Sequence, residues 1–227
     1  MNVTPEQIRW VFVYLFVLII SIALHEFGHA FMATRLGDDT PRRQGRVTLN
    51  PLAHADPIGT FLLPLIGGLY GAATGHAGGF GWGKPVQWQP NRINRKWRMT
   101  TAKILVAIAG PSMNLLLGST IAFANVLLLA QGVIAWGSQP DQILQFAAIT
   151  NFVLFFFNLL PIPPLDGGHV AENLMPYKYR QQFDNYARYA PFLLLGVMLI
   201  PQLQRAFQLP ALWCTRHVYS AFASILM

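Results

Sequence analysis

His25, Glu26 and His29 form the pattern HEFGH inside an otherwise apolar stretch. Residues four apart on a helix share one face, one turn apart. His25 and His29 can therefore offer imidazole nitrogens to a single Zn²⁺ at about 2.0–2.1 Å. Glu26 sits beside that face, where a carboxylate can take a proton from a water that the metal activates. Zinc lowers the pKa of such a water toward ~7, which suits hydrolysis at neutral pH. The setting sharpens this reading, because an ionisable side chain at the centre of a spanning helix costs ~2.5–3.5 kcal/mol on insertion scales. Two histidines and a glutamate in such a helix call for a compensating role. The competing role is a proton relay or a polar contact between helices.

Hydrolytic zinc sites use three protein ligands and keep one position for water. Cys214 is the only cysteine, so a cysteine-rich site and an internal disulfide are both excluded. The third ligand must be His, Asp or Glu. Asp166 is the leading candidate: it follows a phenylalanine-rich span and sits in the turn LDGG, where glycines let the backbone bend toward a neighbour. His169 is the rival, three residues on, and Glu172 is a weaker one.

These residues must be positioned by membrane-spanning helices. Of the 227 residues 53% are hydrophobic and only 11% charged, too few charges for a soluble fold of this size. The net charge of +7 lies in polar stretches between apolar runs, as in the cytoplasmic loops of membrane proteins. No basic patch sits on a recognisable nucleic-acid-binding module, so nucleic acid is not an expected partner. Ile8 to Leu36 reads as one helix with Trp10, Tyr14 and Arg9 at an interfacial start, ending at Gly37. It lacks a basic n-region and a cleavage signal, so it reads as retained rather than as a signal peptide. At about 28 residues it is roughly 42 Å long, more than a ~30 Å hydrocarbon core, so its far end at Arg35 projects into water. RVTL at 46–49 alternates like a short strand. Pro57 to Ala73 is apolar but broken by prolines and glycines, as in a distorted or re-entrant segment. Gly75 to Pro90 reads as loop plus a β-like piece, and Asn91 to Arg98 carries four basic residues. Thr101 to Gln131 is a second span, with a kink expected at Gly110-Pro111, and Ile143 to Leu160 a third. Pro176 to Arg188 is polar and basic, suited to a membrane surface. Pro191 to Leu203 is short for a span, and the tail from Pro210 is amphipathic. His54 and Asp56 suit a supporting shell or a helix start. His76 and His217 suit an interface, and Asn114 an interhelical hydrogen bond with proximity to the site left open.

HEFGH together with NLLPIPPLDGG, at 158–168, resembles the site-2 protease family of intramembrane zinc metalloproteases, whose members pair HExxH with N-x-x-P-x-x-x-L-D-G on a later helix. Asn158, Pro161, Leu165, Asp166, Gly167 and, in the first motif, Gly28 all match. FGWGKPV and AGPSMN are similar to the small bacterial members, and the resemblance covers about 8–173. It implies one Zn²⁺ per chain on His25, His29 and Asp166, Glu26 as the catalytic base, and Asn158 at the oxyanion or the substrate backbone. It implies hydrolysis of single-span membrane proteins, anti-sigma-factor-like proteins for example, within or beside the bilayer of a bacterial inner membrane, as in regulated intramembrane proteolysis. No stretch is long and polar enough for the PDZ or CBS domains of larger relatives.

The expected fold is an all-α polytopic membrane protein of about five to six transmembrane or re-entrant segments with a short β-like membrane-associated segment. It forms one domain over 1–227, with a catalytic core at about 8–173 and C-terminal helices at 176–227. The basic residues from Arg35 to Arg46 put that end of the first helix in the cytoplasm and the active site nearer that side. Pro57 to Ala73 should then enter the membrane and return, by itself or with the glycine-rich stretch that follows. The alternative function is a metal or proton transporter built on the same His/Glu/Asp cluster. Such a protein more often carries repeated halves with matching broken helices, and none is visible.

Overall fold

A computed structural model describes residues 4–74 and 81–227. It is helical, and no strand occurs among the described residues. Helix α1 runs Pro5–Arg35, opened by a capping box in which Thr4 accepts from the Gln7 amide and the Gln7 side chain accepts from Thr4 N–H. It closes before Gly37, whose φ of +116° leads the chain away, and a β-carbon there would lie 2.9 Å from Asn94 N. Short turns α2 (Thr40–Arg43) and α3 (Pro51–His54) follow.

Pro57–Leu62 forms a π-helical turn that continues as α4, Leu63–Thr74. A side-chain acceptor at its start explains the boundary: Asp56 Oδ1 accepts from the Ile58 and Gly59 amides. This arm climbs antiparallel to α1. Gly68 packs beside Val11, and Gln7 Nε2 donates to Ala72 O at 2.8 Å, at the beginning of α1. By Gly81 the chain is back beside Leu18 and Pro64. Residues 81–89 then descend past Glu26 to Asp38. The arm therefore runs up along α1, and by Gly81 the described chain is back near the arm's base. Its base is closed where Trp82 N–H donates to Gly59 O and Thr60 Oγ1 donates to Trp82 O. The strand-like reading of 46–49 and the β-like piece read within Gly75 to Pro90 need correction over the described residues. Neither is paired to another strand, and the bonds on 81–89 come from turns and side chains. The rest of the glycine-rich stretch, with His76, lies outside the described residues.

Helix α5 (Met99–Ala130) carries Pro111 inside one continuous element, and α6 spans Gln139–Asn158. They pack through Ala122, Ala148 and Phe152. Small residues let helix backbones approach closely in a membrane, where hydrophobicity alone does not drive association. Helix α7 is Asp166–Leu174, α8 Arg180–Leu199 and α9 Pro201–Leu226. Ile200 is extended and Pro201 starts a new helix, so α8 and α9 meet at a 78° bend. The apolar run 191–203 is thus divided between two helices rather than forming its own span. The amphipathic tail is a bundle helix whose Ala211 enters the α5–α6 core. Among the described residues α1, α5 and α6 are long and apolar enough to cross a membrane, four crossings if the bent pair is one span. With the α4 arm this is an all-α polytopic membrane protein.

Candidate metal centre

His25 and His29 project from one face of α1, with Nε2 atoms 3.1 Å apart. Asp166 Oδ2 stands 3.1 Å from His25 Nε2, and Oδ1 3.4 Å from His29 Nε2. Asp166 reaches this point as the first residue of α7, and the LDGG turn makes that possible by compactness. A β-carbon at Gly167 would strike the Leu159 carbonyl, and one at Gly168 would lie 2.6 Å from Pro163 N. Neither glycine has positive φ, so close backbone packing, not a left-handed conformation, requires them. His169 and Glu172 face one another at 4.0 Å, and Glu172 pairs with Arg180 at 2.7 Å. Among the described residues the group with metal-ligand spacing is His25, His29 and Asp166.

The outer partners decide the protonation of the rings. Asn151 Nδ2 donates to Ala147 O, which leaves its Oδ1 to accept from Asn114 Nδ2. Asn114 Nδ2 also donates to Ser21 O, so its Oδ1 is the end that faces His25 Nδ1, at 2.7 Å. His29 Nδ1 meets the Val106 carbonyl at 2.7 Å. Oxygens of these kinds only accept, so both Nδ1 atoms carry a hydrogen, and in the neutral imidazoles both Nε2 atoms then present lone pairs. Two lone pairs and a carboxylate thus converge within 4.8 Å, and Asp166 Oδ2 is buried without a hydrogen-bond partner. Three acceptors facing each other fit a bound cation, and the donor set of two imidazoles and a carboxylate fits zinc. Gly110 keeps the position open, since a β-carbon there would lie 2.8 Å from His25 Nε2 and closer still to His29 Nε2.

Glu26 is one residue along α1 and accepts from Val86 N–H at 3.1 Å. A cavity of about 1660 Å³ joins these groups, reaching from Tyr14 on α1 past Glu26 and Asp166 to Phe207 on α9. Asn158 lines the same cavity, but its Nδ2 donates to Leu154 O at 2.9 Å, and it does not touch the His/His/Asp group. Sequence reasoning missed Asn151, Gly110 and Thr60. Asn151 left a visible signal, a polar residue within an apolar phenylalanine-rich span, and Gly110 stood in the AGPSMN stretch but was read only as part of a kink; Thr60 left none.

The model of Peptidase family M50 matches residues 13–135 and 124–199. Among curated proteins the chain is 38% identical over 189 residues to one named "Putative zinc metalloprotease YwhC" from Bacillus subtilis (strain 168), covering 81% of this chain and 78% of that protein. It is 35% identical over 215 residues to "Putative zinc metalloprotease Rip2" of Mycolicibacterium smegmatis, covering 90% and 74%. The protein of the same name from Mycobacterium tuberculosis (strain H37Rv) is 32% identical over 197 residues, covering 83% and 67%. No solved structure matches the chain significantly.

Proposed function

The chain belongs to Peptidase family M50 and is a zinc metalloprotease of the site-2 protease type, and from that premise we propose that it cuts transmembrane protein substrates within or beside the bilayer, as in regulated intramembrane proteolysis. In this reading His25, His29 and Asp166 hold one zinc per chain, Glu26 is the catalytic base, and the whole of 1–227 acts as one unit. The observation that carries it is the convergence of three acceptors on a largely apolar cavity of about 1660 Å³. When bound, zinc supplies Lewis-acid polarisation of the scissile carbonyl and of the attacking water. Glu26 takes the proton of that water and returns it to the leaving nitrogen, while Val86 N–H holds its other oxygen. Asn114 and the Val106 carbonyl keep the two rings turned inward. Asn158 exchanges its bond to Leu154 O for one to the developing oxyanion, where such a donor is worth about 2.7–4 kcal/mol.

A helical substrate hides its amides and must unwind before it is cut. Residues 81–89 suit an extended segment. Trp82 and Lys84 turn their backbone groups to Gly59, Thr60, His54 and Arg46, whereas those of Gly83, Pro85 and Gln87 bond to none of the described residues. An edge of this kind accepts a peptide by strand addition. Single-span proteins, anti-sigma-factor-like ones included, are the substrates expected.

The site lies nearer the cytoplasmic side of a bacterial inner membrane. Arg35, Arg42, Arg43, Arg95, Lys96 and Arg98 gather at the end of α1 opposite its N-terminus, joined there by the Asn94 N–H to Leu36 O bond. Single cysteines replacing Arg42 and Arg95 in a Cys214→Ser background should label from one face of the membrane; labelling from opposite faces overturns this topology. The functional test is incubation of purified protein with single-span proteins. Cleavage should stop with a zinc chelator and in Glu26→Gln, which should keep its zinc. Substrate-independent metal or proton flux that survives Glu26→Gln, without any cleavage, would replace the protease reading with a transporter.

A further inference from the structure

Residues 81–89 hold a strand-like hydrogen-bond pattern with no strand beside them. Lys84 N–H donates to His54 O at 2.9 Å. The two segments run antiparallel, since Trp82 pairs with Gly59 and Lys84 with His54, and in such a ladder His54 N–H would donate back to Lys84 O. His54 is instead the last residue of α3, so its amide belongs to that helical turn. The vacancy is filled by a side chain. Arg46 Nη2 donates to Lys84 O while its Nη1 donates to Ala53 O. Thr60 does the same service one step earlier, for Trp82 O.

Arg46 differs from its basic neighbours. Arg42 and Arg43 are exposed, but Arg46 is 5% exposed and makes no ion pair with any described carboxylate. A buried cation resting on neutral carbonyls tolerates little displacement, because each lost bond leaves charge desolvated. Its planar fork fits two carbonyls at a fixed spacing, which a lysine ammonium does not reproduce. Two residues beyond Lys84, Val86 N–H meets the catalytic-base candidate Glu26. The fork therefore fixes both the position of the edge and its distance from the chemistry.

We propose that Arg46 is a positioning residue that completes the missing ladder and holds the edge 83–87 in register for an extended substrate. This rests on the strand-addition reading given above. The test uses zinc-loaded Glu26→Gln protein, so that nothing is cut. The probe is a fluorescent decapeptide of alternating valine, threonine and lysine, beside a copy N-methylated at every second amide. Anisotropy should show the plain peptide binding about tenfold tighter than the methylated one, as two lost hydrogen bonds imply. Adding Arg46→Ala should shrink that contrast below about threefold with zinc content unchanged. Arg46→Lys should lose at least half of the contrast on a logarithmic scale, and it decides alone if the alanine variant loses zinc or does not fold. If the parental protein shows no methylation penalty, strand addition itself fails, and the role of Arg46 with it. If the penalty is present and equally large in the Arg46 variants, docking stands and the proposal for Arg46 is overturned.

Discussion

The metal centre and the segment 81–89 lie within one hydrogen bond of each other, yet they are built in opposite ways. At the metal centre His25, His29 and their partners Asn114 and Val106 ride on long helices held by their own backbone bonds, and Asp166 opens another. The segment 81–89 has no element of its own. It is held by Thr60, Arg46, Glu26 and Asp38, the last accepting from Gln89 N–H at 2.5 Å. The helical frame should yield all-or-nothing metal phenotypes, because a rigid bundle cannot adjust around a displaced ligand. The side-chain frame should yield graded substrate phenotypes, because each tie can be lost alone.

Gly110→Ala should break the metal side most. Its β-carbon would occupy the space between the two Nε2 atoms, so zinc measured by elemental analysis should fall below about one tenth per chain. Normal zinc in this variant would mean that the ligands converge elsewhere. Asn158→Ala comes next: kcat should drop about 10²–10³-fold at constant zinc if its amide serves the oxyanion. A raised KM with unchanged kcat would assign it to docking, on the side of the segment. Asn114→Ala should weaken zinc by about 10–100-fold in a chelator competition, since His25 loses the acceptor that fixes its tautomer. Gly83→Ala should have the smallest effect and the opposite character. The added carbon would lie 2.6 Å from Ile22 Cγ2 and 3.2 Å from Glu26 Cγ, pushing the segment outward. KM should rise roughly tenfold while zinc stays at parental content. Zinc loss in Gly83→Ala would dissolve the contrast between the two frames.

Legibility followed the same division. The three long helices were readable because hydropathy over some twenty residues is a local property. Their ends moved by a few residues, as where α1 starts at Pro5 on its Thr4 cap rather than at Ile8. The tail was not readable. Pro210 looked like a boundary, but it lies inside α9, and the actual break is at Ile200-Pro201. The β-like reading within Gly75 to Pro90 missed the partners of 81–89, which are the Gly59 and His54 carbonyls and side chains from four separate places.

What the sequence determined by itself is the pairing of His25 with His29 and the place of Glu26 beside them, since helical periodicity over four residues requires it. The membrane character follows likewise from composition alone. The arrival of Asp166 rather than His169 or Glu172 beside the histidines was settled by tertiary structure. So were the Asn151–Asn114–His25 chain that sets the tautomer and the tie of Val86 to Glu26. The physical reason is distance along the chain. Asn114 is 89 residues from His25 and Val86 is 60 from Glu26, and no local preference ties groups so far apart until packing brings the helices together.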